Sequence, residues 1–346
     1  MIMVQGLKIG TILQNGTYRI VKVLGQGSFG ITYLAKAKLR TQGNLGSMNV
    51  EAQVAIKEFF MSEVNSRRSD GSSVEGSSGS VFANYRKKFK KEAENLSKLS
   101  LSNIVKVVDV FDENNTTYYV MEFIEGKNLD DYIKQKGSLP ESEAISIIKE
   151  VGNALEYMHS RKMLHLDIKP KNIMRKPDGT IYLIDFGLSK QFTDNGEPES
   201  STSIGLGTPG YAPIEQSSYK QDGTFPATLD VYALGATMFK MLTGKRPPEA
   251  TIILNEGFPS VELSNKGISD NTISTIKAAM ISTKKERYQT IKAFVENLNK
   301  DDIEDVTIIE QPAQNTESIH STNPSPKPNS KSKWIWSAVL FLVLIV

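Results

Sequence analysis

The run His165-Leu166-Asp167-Ile168-Lys169-Pro170-Lys171-Asn172, followed after a short strand by Asp185-Phe186-Gly187, constrains this chain more than any other feature. A lone Asp-Phe-Gly triplet is as readily a plain strand-to-turn transition, and a lone buried His is more often a satisfied core residue than a catalyst. The joint order carries the weight: an Asp, a Lys, an Asn and a second Asp, in a sequence suited to magnesium-assisted phosphoryl transfer. That chemistry asks mainly for positioning and charge neutralisation. It needs a carboxylate to orient the attacking hydroxyl, oxygen ligands for the metal, and cations on the phosphates.

Upstream, Tyr18-Arg19-Ile20-Val21-Lys22-Val23-Leu24 alternates like a strand and runs into Gly25-Gln26-Gly27-Ser28-Phe29-Gly30, then Ile31-Thr32-Tyr33-Leu34-Ala35. A dinucleotide-binding turn is the rival reading of such glycines. That rival needs a helix after the third Gly, whereas Ile31 to Leu34 are β-formers with no helix cap before them. A β-hairpin lid over phosphates fits better, with glycines admitting backbone N–H groups to the ligand and Phe29 at the tip shielding it from water. Val54-Ala55-Ile56-Lys57 is an apolar strand ending in a lysine, which by itself would pass for an edge-strand charge. Tyr85 to Leu96 is an amphipathic helical stretch in which Phe89, Glu92, Ala93 and Leu96 share one face.

Together these segments resemble the eukaryotic-like (Hanks-type) serine/threonine protein kinases, and among them the bacterial membrane-anchored members. The resemblance covers residues 18 to 300. His165 to Asn172 is similar to the catalytic loop H-R-D-L-x-x-x-N, Asp185 to Gly187 to D-F-G, and Val54 to Lys57 to V-A-I-K. Phe89 to Leu96 resembles F-x-x-E-x-x-x-L. What the resemblance implies is an α+β, bilobal protein-kinase fold: a small antiparallel sheet with one helix, a hinge at Glu122 to Gly126, and a mainly α-helical C-lobe. It implies ATP and Mg²⁺ as cofactors, with Mn²⁺ as a possible substitute.

Residue by residue, the resemblance makes Asp167 the catalytic base and Lys169 the cation that reaches the transferring phosphate. Lys57, held by Glu92 rather than the solvated Glu94, would orient the α- and β-phosphates, and Asn172 and Asp185 would hold the metal. The nucleotide would be bound by Leu24, Gly25, Gly27, Ser28, Phe29, Gly30 and Thr32 on the lid hairpin, with Ala55 and Leu24 sandwiching the adenine. Met121 falls at the gatekeeper position, Glu122 and Ile124 in the hinge, and Asn128 where the family contacts the ribose. His165 would stack with Leu96, Val107 and Phe186. Gly207-Thr208-Pro209-Gly210-Tyr211 looks like the substrate-docking segment, and Asp230 to Gly235 like the large helix whose Asp braces the catalytic loop. The expectation is transfer of the ATP γ-phosphate to Ser or Thr hydroxyls of proteins, including autophosphorylation. The alternatives are a pseudokinase scaffold, which usually has lost one of Lys57, Asp167 or Asp185, and a small-molecule phosphotransferase, which generally lacks the docking segment.

Departures from the family pattern are informative. Leu166 stands where many kinases have the Arg that receives an activation-loop phosphate. The active conformation is therefore expected to need little or no such phosphate, with Lys190 as a weaker contact and Ser200, Ser201, Thr202 and Ser203 as autophosphorylation sites. Ala212-Pro213-Ile214-Glu215 replaces A-P-E and keeps Glu215 in register, with Arg287 as its expected partner. Lys171 stands where basophilic kinases often carry an acid, which argues against arginine-flanked substrates.

The division expected is an N-terminal extension (1–17), an N-lobe (18–125) with a flexible insertion (62–82), a C-lobe (126–300), a polar linker (301–333) and an apolar end (334–346). Within Ser66 to Ser80, seven of fifteen residues are Ser and three Gly, too little apolar area to offset ordering entropy. Leu39 to Asn49 reads as a second, shorter hairpin insertion. Forty-one basic residues against thirty-nine acidic argue against a dedicated nucleic-acid binder. The absence of Cys excludes disulfides, thiolate metal sites and cysteine nucleophiles. His159, expected at a helix end, His165 and His320 are too scattered for a His-rich metal site. No signal peptide is evident at Met1 to Gly10. Lys331 and Lys333 precede Trp334 to Val346, the flank and interfacial belt of a membrane helix. Thirteen such residues reach only ~20 Å against a ~30 Å hydrocarbon core, so a single-pass anchor, as part of a longer span, with the catalytic domain in the cytoplasm is the expectation.

Overall fold

The computed structural model describes residues 6–300 apart from 28–29, 44–45, 64, 77–78, 188, 194, 196, 199–206 and 221, and without the side chains of 39–49 and 79. Ser28, Phe29, Ser200 to Ser203, His320, the linker and the apolar end thus lie outside the described residues.

Short β1 (Ile12–Leu13) leads into β2 (Tyr18–Gly27), β3 (Gly30–Gly43) and β4 (Gly46–Phe59). With β7 (Val107–Glu113) and β8 (Thr116–Glu122) they form one antiparallel sheet in the order β1-β2-β3-β4-β8-β7. The ladder of β3 and β4 runs unbroken from Gly30 opposite Phe59 to Gly43 opposite Gly46, so the expected hairpin at residues 39–49 is an extension of that ladder. At Gly30 a Cβ would stand 2.3 Å from the Glu58 carbonyl oxygen, which leaves glycine as the residue that fits.

The 62–82 insertion differs from expectation. Its residues form a hairpin, β5 (Asn65–Arg67) with β6 (Val74–Gly76), and helix α1 (Gly79–Leu96) opens directly after it. The ordering force is tertiary: Arg67 pairs with the buried Glu58, and Val74 is fully buried. Asp70 closes the tip by accepting from the Ser72 and Ser73 N–H groups.

Beyond the sheet, β9 (Lys127–Asn128) runs into α2 (Leu129–Lys136), capped by the Asn128 side chain on the Asp131 N–H, with acids in the first turn and lysines in the last. Helix α3 (Glu141–His159) ends at His159, as expected, and precedes β10 (Met163–Leu164), β11 (Ile173–Arg175), β12 (Ile181–Leu183) and β13 (Lys190–Gln191). Strand β11 pairs with both β12 and β9, and β10 with β13. A Cβ on Gly126 would meet the Arg175 carbonyl at 2.3 Å, so a glycine there lets the chain close onto β11.

The remaining helices are α4 (Ile214–Ser217), α5 (Thr228–Thr243), α6 (Ala250–Glu256), α7 (Ser260–Ser264), α8 (Asp270–Ala279) and α9 (Ile291–Asn297). Helix α5 is buried along nearly its whole length, which is what a helix without a continuous polar face requires. Ser269 and Thr290 cap α8 and α9. Among the described residues no helix is long and apolar enough to cross a membrane.

Candidate active site

The catalytic segment lies between β10 and β11, where its turns are held by backbone strain that the surroundings enforce. Leu166 and Asp185 are non-glycine residues with φ of 65° and 57°, conformations that cost of order 1–3 kcal/mol each unless surrounding contacts over-determine them. At Leu166 those contacts are visible. The fully buried Asp230 carboxylate of α5 accepts from the His165 N–H (3.0 Å) and the Leu166 N–H (2.9 Å), and Gln216 Nε2 donates to the Leu166 carbonyl (2.9 Å). His159 Nε2 lies 2.9 Å from the same carboxylate. Desolvation would raise the Asp230 carboxyl, but the hydrogen bond and charge of His159 outweigh it and hold the carboxyl below its ordinary value.

That bracing aims Asp167. Its Oδ1 accepts from the Thr208 hydroxyl (2.6 Å), and its Oδ2 accepts from Lys169 Nζ (2.7 Å) and Asn172 Nδ2 (3.0 Å). Lys169 also donates to Thr208 Oγ1 at 2.7 Å, so Asp167, Lys169 and Thr208 close a ring. Asn172 Nδ2 further donates to the Asp167 carbonyl (2.8 Å), which orients the amide with its nitrogen towards Asp167. Thr208 was visible in the sequence only as part of the docking segment; its contact with Asp167 spans 41 residues of chain.

Lys57 departs from expectation in its partner. It is buried at the end of the V-A-I-K strand and forms an ion pair with Asp185; among the described residues no such pair joins it to Glu92. Burial alone would lower the lysine, yet the Asp185 charge raises it, and Lys57 in turn holds the Asp185 carboxyl below its ordinary value against desolvation. A Cβ on Gly187 would stand 3.0 Å from Lys57 Nζ, so the residue after Phe186 leaves the lysine its room. Glu92 feels Lys190, Lys57 and Lys88, but burial dominates and pushes its carboxyl up to about 7. Lys190 is buried on β13 and is itself lowered by burial against the attraction of Glu92.

Of the stack expected around His165, the contact with Phe186 is present, the two rings 5.1 Å apart, and Leu96, Val107 and Phe186 are all buried. Burial lowers the His165 imidazole below its ordinary value. Leu166 packs with Leu164, Phe192 and Leu229, so the place of the family arginine is filled by an apolar cluster. Arg287 meets both carboxylate oxygens of Glu215, the pairing read from the sequence.

The nucleotide-binding candidates fall on facing strands. Gly25 pairs with Thr32 and Gly27 with Gly30 across the lid hairpin, and a Cβ on Gly25 or Gly27 would meet no protein atom within 4 Å. Ala55 lies opposite Met121, both buried, while Leu24 is 42% exposed. The Glu122 N–H donates to the Lys106 carbonyl at the sheet's end, Glu122 itself is exposed, and Ile124 is buried. Asn128, read as a ribose contact, has its amide engaged by Asp131 as the cap of α2.

Residues 18–311 match the protein kinase domain family. Relatives include a probable serine/threonine-protein kinase of Clostridium perfringens, 32% identical over 84% of this chain and 39% of the relative. The serine/threonine-protein kinase PknA of Nostoc is 31% identical over 83% of this chain and 47% of its own length, and PrkC of Bacillus subtilis 28% identical over 80% and 39%. The chain therefore belongs to the protein kinase family, and it spans less than half the length of these three relatives.

Proposed function

We propose that this chain transfers the γ-phosphate of Mg-ATP to Ser and Thr hydroxyls of proteins, its own included. The observation that carries the reading is the ring of Asp167, Lys169 and Thr208 beside the Lys57–Asp185 pair. Asp167 stands where it can accept a hydroxyl proton, Lys169 where it can neutralise charge that develops on the transferred group, and Thr208 ties the docking segment to both. The printed names of the relatives, serine/threonine-protein kinases, support the same substrate class.

The donor set suits magnesium. Asp185 supplies a carboxylate and Asn172, with its nitrogen committed to Asp167, leaves its amide oxygen available; a site of few protein oxygens completed by phosphate and water is the usual magnesium arrangement. Held by Asp185 and Asn172, a magnesium ion would supply charge neutralisation for the phosphate groups. The exposed Leu24 and the open glycines of the lid offer an apolar and a backbone face to the adenine and phosphates. With the arginine position occupied by the buried Leu166 cluster, the active conformation needs little or no activation-loop phosphate. The apolar residues 334–346, preceded by lysines, would anchor the protein in the cell membrane as a single pass with the kinase on the cytoplasmic side.

The test is incubation of the protein with labelled Mg-ATP and generic protein substrates, followed by phosphoamino-acid analysis. Label on Ser and Thr supports the proposal; label on small metabolites alone, or none with ATP bound, moves the reading to another phosphotransferase or to a scaffold.

A further inference from the structure

Glu58 is a fully buried carboxylate that the phosphotransfer mechanism does not use. A buried charge is tolerated only when it is paired and hydrogen-bonded, and here the donors come from separate parts of the domain. Tyr33 of β3 and Tyr118 of β8 (3.0 Å) donate their hydroxyls, and Arg67 of the hairpin insertion donates at 2.6 Å. The Tyr33 hydroxyl in turn accepts from the Leu7 N–H of the N-terminal extension at 3.0 Å. Arg67 also closes its own hairpin on the Ser72 carbonyl (2.6 Å), with its guanidinium 5.2 Å from the Phe60 ring centre. Because neighbours on a strand point to opposite faces, Glu58 fixes from behind the strand that presents Lys57 to the cleft.

From the hairpin a packed path leads to Glu92. The Val74 N–H donates to the Asn114 carbonyl and Asn115 Nδ2 to the Val74 carbonyl, both at 2.9 Å, seating β6 on the β7–β8 turn. Gly76 lies so close to Phe82 of α1 that a Cβ would approach it to 2.6 Å. Ring centres then step from Phe82 to Phe59 (5.7 Å), Phe59 to Phe89 (5.5 Å) and Phe89 to Tyr119 (5.2 Å). Phe89 stands one turn before Glu92, the α1 carboxylate that feels the charges of Lys190 and Lys57.

We propose that Arg67 and Glu58 are positioning residues: by docking the hairpin they fix the start of α1, and so the position of Glu92 relative to Lys57, which here pairs with Asp185. An insertion whose composition reads as a loose loop is then a built-in strut of the active site. The inference rests on the phosphotransferase reading, since its catalytic consequence is a loss of transfer rate. It predicts that loosening the pair lowers kcat much more than it weakens ATP binding, because no group at the nucleotide site is removed.

The test compares the full chain with Arg67→Met, Arg67→Lys and Glu58→Gln. Phosphoryl transfer gives kcat and the KM for ATP; hydrogen exchange is followed in α1, residues 79–96, and in α5, residues 228–243. Arg67→Met and Glu58→Gln are expected to lose about tenfold or more in kcat, as misplacement of a catalytic group does, with the KM for ATP within about threefold. Exchange in α1 should accelerate about tenfold while α5 is unchanged, and Arg67→Lys should recover most of both. Wild-type kcat and unchanged α1 exchange in Arg67→Met would overturn the inference. Equal acceleration of α1 and α5 would also overturn it, by reducing the pair to a general prop. If the wild type transfers no phosphate, the functional reading fails separately, while the exchange comparison still decides whether the hairpin governs α1.

Discussion

Replacing Asp230 by Asn tests how far the active site depends on a strained backbone. In the wild type one carboxylate accepts two buried backbone N–H groups, at 3.0 and 2.9 Å. Hydrogen bonds to a charged acceptor contribute about 1.5–3 kcal/mol each, against roughly 1 for neutral partners. Asn keeps one carbonyl for one N–H and turns an NH₂ donor towards the other, which leaves a buried donor unpaired at about 1–3 kcal/mol. Summing the loss of charge on one bond and the loss of the other gives a destabilisation of about 2–5 kcal/mol. That is a large share of a typical 5–15 kcal/mol stability, yet compatible with folding. Leu166 would then be free to leave its φ of 65°, and Asp167 moves with it. A displacement near 1 Å at a catalytic group costs about 10²-fold in rate. The assay is urea unfolding followed by fluorescence, paired with phosphoryl transfer at saturating ATP. Asp230→Asn with stability within 1 kcal/mol of wild type and a kcat within threefold would refute the argument that Asp230 holds the loop.

The ion pair of Asp222 with Lys284 provides the contrast, because both side chains are more than a third exposed; Asp222→Asn should change stability by no more than about 1 kcal/mol in the same urea assay. Glu92 sets a pH dependence. Burial pushes its carboxyl up to about 7 in the folded protein against an ordinary 4.5, so only above that range does it add a negative charge to the field at Lys57, and kcat should fall as pH drops through 7. Stability runs the other way: a raised carboxyl favours the fold most below pH 4.5 and loses that advantage as pH rises to 7. Glu92→Gln is thus expected to be more stable at pH 8, by up to about 3 kcal/mol, while less active and without the pH 7 inflection. Kinetic and unfolding profiles across pH 5–9 check both signs. Lys57→Met should impair productive phosphate placement and catalysis together, read as a fall in kcat/KM for ATP. Phosphomimetic Asp at Ser200 to Ser203 should leave kcat within about twofold, since Leu166 replaces the arginine that would grip it and Lys190 is the weaker contact; strong activation by the series would contradict that reading.

What the sequence made legible is the chemistry held in short, ordered segments. Asp167, Lys169, Asn172 and Asp185 lie close along the chain, and the Glu215–Arg287 pair followed from register in a known pattern. The residues that escaped are those whose role arises from contacts distant in sequence. Ser- and Gly-rich composition hides the hairpin because a single arginine, inserted against a buried carboxylate, supplies the order that composition cannot. The Thr208 hydroxyl meets Asp167 only once the docking segment folds back. The pairing of Lys57 with Asp185 likewise joins residues 128 apart in the chain, which no spacing encodes. Asn128 did carry a local signal: an Asn followed by Leu129, Asp130 and Asp131 marks a helix cap.

The most direct measurement is single-turnover transfer from labelled Mg-ATP by the wild type and by Asp167→Asn, with ATP affinity determined for each by calorimetry. The account predicts equal affinities and a loss of about 10²–10⁴-fold in transfer rate for the variant. Equal transfer rates at equal affinity would contradict the assignment of Asp167 as the base.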